Sequence, residues 1–180
     1  FHYLYNGGSG WNGPFEVTLG GYSDCGYVYA SFRDNDDVIL AGQLHVGPYP
    51  GGRFQAGVVQ FRLGQTPAVQ TPLRLKGSAE LIASAEDVWV NPQDKGVHVL
   101  ARTLNGTLAY FHKSWSAPWK KELNADWSVT PAFRGRFVPG ADREVFVLLG
   151  SPGESKEALK ALHFSRHNFH GEGPLRLALA

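Results

Sequence analysis

The side chains best equipped for chemistry in this chain are aromatic rings and imidazoles, and they fall in three groups. Tyr3, Trp11 and Asn12 stand near the start. Tyr110, His112, Trp115 and Trp119 form a second group, in which a Ser-Ala-Pro turn brings the two indoles toward one rim. His163, Arg166, His167 and His170 form a third. Indole and phenol rings offer flat apolar faces, while Asn, Arg and His offer planar donors and acceptors. Together they suit a shallow site where the C–H face of a sugar ring packs on an aromatic and its hydroxyls are hydrogen-bonded. The same aromatics also pack well between sheets, so each residue has a structural reading beside its binding one. Trp89 and Trp127, near expected strand ends, admit both.

Other chemistries find less support. On a strand, His163 and His167 share a face but stand ~13 Å apart, too far for one ion. The acidic run Asp34-Asn35-Asp36-Asp37 lacks the spacing and the glycine of a calcium loop. No phosphate loop, dinucleotide fingerprint or nucleophile elbow occurs, and no cofactor is expected. A glycoside hydrolase needs a pair of carboxylates. Asp24, Asp34, Asp36, Asp37, Asp87, Asp94, Asp126 and Asp142 are available, but none sits in an S-x-D-x-G-x-T-W box. Basic and acidic residues number 17 and 16, with no basic run, so nucleic acid is not an expected partner. No apolar stretch approaches the ~20 residues of a membrane helix.

With 43% apolar and 13% aromatic residues beside 22 Gly and 11 Pro, the composition suits an all-β domain rich in turns. The sequence starts at Phe1 and contains no Met, which points to a processed chain or a fragment. Cys25 is the single cysteine: a buried thiol, or a bond to another chain. Asn105-Gly106-Thr107 is a glycosylation sequon in an expected turn, in keeping with secretion.

The elements that must position these residues repeat. One class of strand is intensely apolar, as expected for burial on both faces: Val38 to Gly42, Val97 to Ala101 and Val145 to Leu149. A second has a central aromatic: Tyr3, Phe61, Phe111 and Phe164. A third begins with Pro before an apolar residue: Pro14-Phe15, Pro72-Leu73, Pro118-Trp119 and Pro174-Leu175. A fourth is less distinct: Val28 to Phe32, Leu81 to Ala85 and Pro131 to Arg134. The best helical candidate, Glu154 to Lys160, is short. The order is indistinct, apolar, aromatic, Pro-led, and it recurs about every 50 residues, the signature of a β-propeller blade. Proline is tolerated on the outermost strand, where no ladder bond is lost. On this count 22–76, 77–127 and 128–180 are full blades and 1–21 is an outer half blade, three and a half in all. A ring must close, so a second copy or a partner chain is expected to supply the missing strands. The alternative fold is a β-sandwich.

Two stretches carry a family resemblance. His2-Tyr3-Leu4-Tyr5, Gly10 to Pro14 and Leu19-Gly20-Gly21 form the first. Val97 to Arg102, Asn105 to Leu108, Trp115, Pro118-Trp119 and Leu123 form the second. Both resemble the repeats of tectonin and Photorhabdus-type propeller lectins. The resemblance implies a β-propeller with sugar sites between blades, built from Trp, Tyr, His and Arg, and glycans that are often fucosylated or O-methylated. It is poorest in 22–76, where Gly47 to Gly57 reads as a longer loop. Two other functions fit the residues: an interaction subunit cleaved from a larger precursor, and a glycoside hydrolase.

Overall fold

In the computed structural model the chain is all-β, with no helix among the described residues. These residues are 2–6, 8–16, 29–46, 53–65, 69–75, 77, 82–114, 116–119, 123–125, 127–129, 134–139, 145–150, 159–164 and 175–176. Strands β1 (His2–Asn6) and β2 (Trp11–Glu16) form a hairpin, with Tyr5 and Phe15 stacked at 5.8 Å. Strands β3 (Tyr29–Phe32), β4 (Asp37–Val46), β5 (Arg53–Arg62) and β6 (Val69–Arg74) follow as an antiparallel meander. Next come β7 (Ile82–Val90), β8 (Val97–Thr103) and β9 (Leu108–Lys113). The short β10 (Leu123–Asn124) returns to pair in parallel with β6, and β11 (Trp127–Val129) comes back to pair with β9. A last meander holds β12 (Arg134–Pro139), β13 (Val145–Gly150), β14 (Leu159–Phe164) and β15 (Leu175–Arg176).

The apolar runs become central strands. In β4, Val38, Ile39, Leu40, Ala41 and Gly42 are all buried, on both faces, as a continuous apolar run requires. In β8 the same holds from Val97 to Ala101. One core joins the two neighbouring sheets: Ile39, Ala41, Ala56, Val58 and Leu73 face Val88, Val90, Val97, Val99, Ala109 and Phe111. This packing of two inner faces removes apolar surface from water at about 25 cal/mol per Å².

Strand β7 explains why its class looked indistinct. Ile82, Ala85, Val88 and Val90 are buried, a spacing of three, three and two. Bulges between Ile82 and Ser84 and between Ala85 and Asp87 insert the extra residues. Each bulge restores the apolar residue to the core face, so alternation is hidden in the sequence but kept in space.

Three sequence expectations need correction. Pro118-Trp119 is not a strand: the chain passes these residues, pairs as β10 with the neighbouring sheet and only then adds β11. Trp119 is drawn inward onto the core instead, so the ladder restarts at Trp127. The loop expected from Gly47 to Gly57 is shorter, because β5 begins at Arg53 and Gly57 pairs with Gly42 in a ladder running to Val46↔Arg53. Leu159 and Lys160, the end of the helical candidate, lie in β14, and residues 154–158 lie outside the described residues.

Candidate functional site

Strands β7, β8 and β9 put alternate residues on opposite faces. The face away from the core carries Trp89, His98, Leu100, Tyr110 and His112. Register places Trp89 opposite His98 and His98 opposite His112. Their rings form a row, with centroids 4.9 Å apart between Trp89 and His98 and 4.7 Å between His98 and His112. The Tyr110 hydroxyl and His98 Nδ1 share a hydrogen bond of 2.8 Å. Phe137, from β12, lies over this face with its ring steeply inclined to those of His98 and Tyr110, the centroids 6.1 and 6.3 Å apart. His98, Tyr110 and Phe137 are buried, whereas Trp89 and His112 are half-buried.

The turn joining β7 to β8 borders this row. Asn91 Oδ1 accepts the Gln93 N–H and Asp94 Oδ1 accepts the Gly96 N–H, both at 2.9 Å. Lys95 takes a left-handed φ of 59° to complete the reversal. A Cβ at Gly96 would lie 3.0 Å from Asp94 Oδ1, 3.1 Å from His112 Nε2 and 3.6 Å from His98 Nε2. Glycine is therefore what lets both imidazoles close onto the turn. Lys95 Nζ reaches across to the Arg33 carbonyl at 2.9 Å and Asp34 at 3.2 Å, fixing the turn to the β3–β4 connection.

On the core side of the same sheet lies a polar cluster between the two meanders. Asp37 pairs with Arg33, and its two oxygens accept Gln60 Nε2 at 3.1 and 2.9 Å. The Trp119 indole N–H donates to Gln60 Oε1. Lys113, only 6% exposed, holds its ammonium 4.7 Å above the Trp119 ring and donates to the Ser114 carbonyl at 3.2 Å. Burial, with the Arg33 charge second, pushes the Lys113 pKa down.

The structure thus splits the second sequence group. Tyr110 and His112 share the ring row, whereas Trp119 stands on the opposite side of the sheet, its N–H bonded to Gln60 and its face under Lys113. Trp11 projects from the β1–β2 hairpin, 74% exposed, and Asn12 Nδ2 bonds the Gly10 carbonyl at 3.2 Å. Tyr3 and His163 belong to β1 and β14. Trp115, Arg166, His167, His170 and Cys25 lie outside the described residues. Sequence reasoning missed His98, inside an apolar run, and Phe137, in the arginine-bearing strand β12, and left Trp89 open. The available signal was the cross-strand register, which is invisible until the turn at 91–96 is placed.

Several carboxylates hold structural partners. Asp87 accepts the Val88 and Phe137 N–H groups, each at 2.9 Å, clamping β12 to β7. Glu86 pairs with Arg102 at 3.0 Å, and Arg136 from β12 donates to the Glu86 carbonyl while lying over the Tyr29 ring at 4.8 Å. No group of three or more His, Cys, Asp or Glu side chains among the described residues is placed to hold a metal ion. No protein-family model, curated protein or solved structure matches the chain.

Proposed function

We propose that the chain is a carbohydrate-binding segment of a β-propeller, with a sugar site at the ring row between β7–β9 and β12. The observation that carries this reading is the row Trp89–His98–His112. It combines an indole face with two imidazoles on neighbouring strands, half-open at both ends and backed by Tyr110 and Phe137. Such a row offers an apolar platform beside directional hydrogen-bonding groups, which is what a pyranose ring requires.

The propeller reading draws support from three successive antiparallel meanders whose leading strands β3, β7 and β12 touch in sequence. The blades are 22–76, 77–129 and 130–180, the expected boundary at 127 moving to Val129 because β11 pairs with β9, and 1–21 is an outer half blade awaiting strands from a second copy or a partner chain. The hairpin supports this: among the described residues it is two strands where the other sheets have four or more, and Leu4, 58% exposed, and Trp11 both stand open. The resemblance to tectonin-type lectins points to fucosylated or O-methylated glycans, and to a secreted molecule that gains strength through several weak sites. Trp11 and Asn12 would form a second site of this kind. The exposed hairpin equally favours an interaction role, in which it docks on another chain and no glycan binds.

Retention on resins bearing multivalent fucosylated and O-methylated glycans tests the reading. Trp89→Ala and His112→Ala are expected to lose retention while circular dichroism stays unchanged. Full retention in both variants rejects this row as the site. A wild-type chain that binds no glycan, yet assembles through the hairpin, favours the interaction role.

A further inference from the structure

The turn between β8 and β9 carries the sequon Asn105-Gly106-Thr107, and the fold displays it at a tip. The Thr103 N–H bonds the Thr107 carbonyl at 3.0 Å, and the Gly106 N–H bonds the Thr103 carbonyl at 3.1 Å. Between them Leu104 and Asn105 are both exposed. Gly106 has a φ of +85°, which keeps the reversal tight. Leu104 is 75% exposed, a large apolar side chain at the outermost point of a hairpin. A polar chain attached at the neighbouring residue would cover it.

We propose that Asn105 is an N-glycan acceptor when the chain passes through a eukaryotic secretory pathway. The Asn105 Nδ2 attacks the anomeric carbon of a lipid-pyrophosphate-linked oligosaccharide. The anomeric C–O bond to the pyrophosphate breaks, a C–N bond forms, and one Nδ2 proton passes to a base of the host transferase. Thr107, the residue that completes the acceptor motif, is 9% exposed, and its own N–H is held by Thr103 Oγ1 at 3.0 Å. The transfer therefore precedes closure of the hairpin. Afterwards the glycan stands at the end of β8 remote from the 91–96 turn, about 17 Å from His98 at ~3.3 Å per strand residue. It leaves the ring row uncovered, so this inference does not depend on what that row binds.

The test is the intact mass of the full chain secreted from a eukaryotic host behind an added signal peptide, before and after an amide-cleaving N-glycosidase. A mass increase of one oligosaccharide is expected, removed entirely by the glycosidase. Asn105→Gln and Thr107→Ala should each lose the increase completely, and Thr107→Ser should keep it. Asn105→Gln keeps an amide at an exposed position, so its secretion reports folding separately from modification. A wild-type chain secreted at its bare polypeptide mass overturns the proposal, as does an increase that survives in Asn105→Gln.

Discussion

The two faces of the β7–β8–β9 sheet are made from alternate residues of the same strands, and they are built on different rules. One face presents Val88, Val90, Val97, Val99, Ala109 and Phe111 to the neighbouring meander. The other presents Trp89, His98, Tyr110 and His112 to β12, joined by ring contacts and one short hydrogen bond. The first face needs only volume and apolarity, and close packing rewards any side chain that fills it. The second needs particular rings in a particular register, which apolar burial alone does not select. A sheet of this kind sets a close-packed core and a row of rings one residue step apart.

The sharpest way to break the comparison is to damage the first face alone. Phe111 is fully buried at the centre of the core. Phe111→Ala should cost about 3–5 kcal/mol, from lost transfer energy and the cavity left behind. Denaturant unfolding measures this. A loss below about 1 kcal/mol would mean that the two meanders are not held together by this core.

A smaller effect is expected at the junction of the two faces. Gly96→Ala places a methyl against Asp94 Oδ1 and His112 Nε2 at distances tighter than ordinary contact. The Asp94 oxygen is tied to the Gly96 N–H, so the imidazole of His112 must yield. Crowding of this type costs about 1–3 kcal/mol. The imidazole proton resonances of His98 and His112 should shift while methyl resonances of the Val97–Val99 face stay in place. Unmoved imidazole signals would show that the row does not rest on the turn.

These two positions also show what the sequence makes legible. Val38 to Gly42 and Val97 to Ala101 announce central strands because burial on both faces leaves an unbroken apolar run. Phe111 is marked by its place in a repeating aromatic class. Tyr110 and His112 were legible as candidates because they interrupt that run with polar rings. His98 was not, since one imidazole among valines reads as a solvated or tolerated residue until its partners are known. Its partners come from β7, from β9 and from β12, the last some 40 residues away. Trp119 misled for the opposite reason. A Pro-Trp pair resembles the start of an edge strand, but a hydrogen-bond partner on another sheet, Gln60, outweighs the local pattern. The β7 bulges add a third case, because inserted residues erase the period that strand recognition relies on.

The smallest effect is expected from Lys113, the charged member of the core face. Its ammonium is buried against Trp119 and faces the Arg33 charge, so its pKa is lowered from 10.5. In the folded chain the group therefore gives up its proton at a lower pH than in the unfolded chain. Between those two values the unfolded state binds more protons, and stability must rise with pH. Below the folded-state value the full cost of the buried charge persists, and above 10.5 it is gone. Lys113→Met keeps the stem over the indole and removes the charge. The difference in stability between wild type and variant, followed by denaturant unfolding, should shift toward the wild type as pH approaches 10.5 from neutrality, with other titrating groups cancelling in the comparison. A difference that stays constant with pH would place this ammonium in water. The core face would then tolerate a charge only at its margin, and the contrast between the two faces would have to be drawn one residue nearer the strand centres.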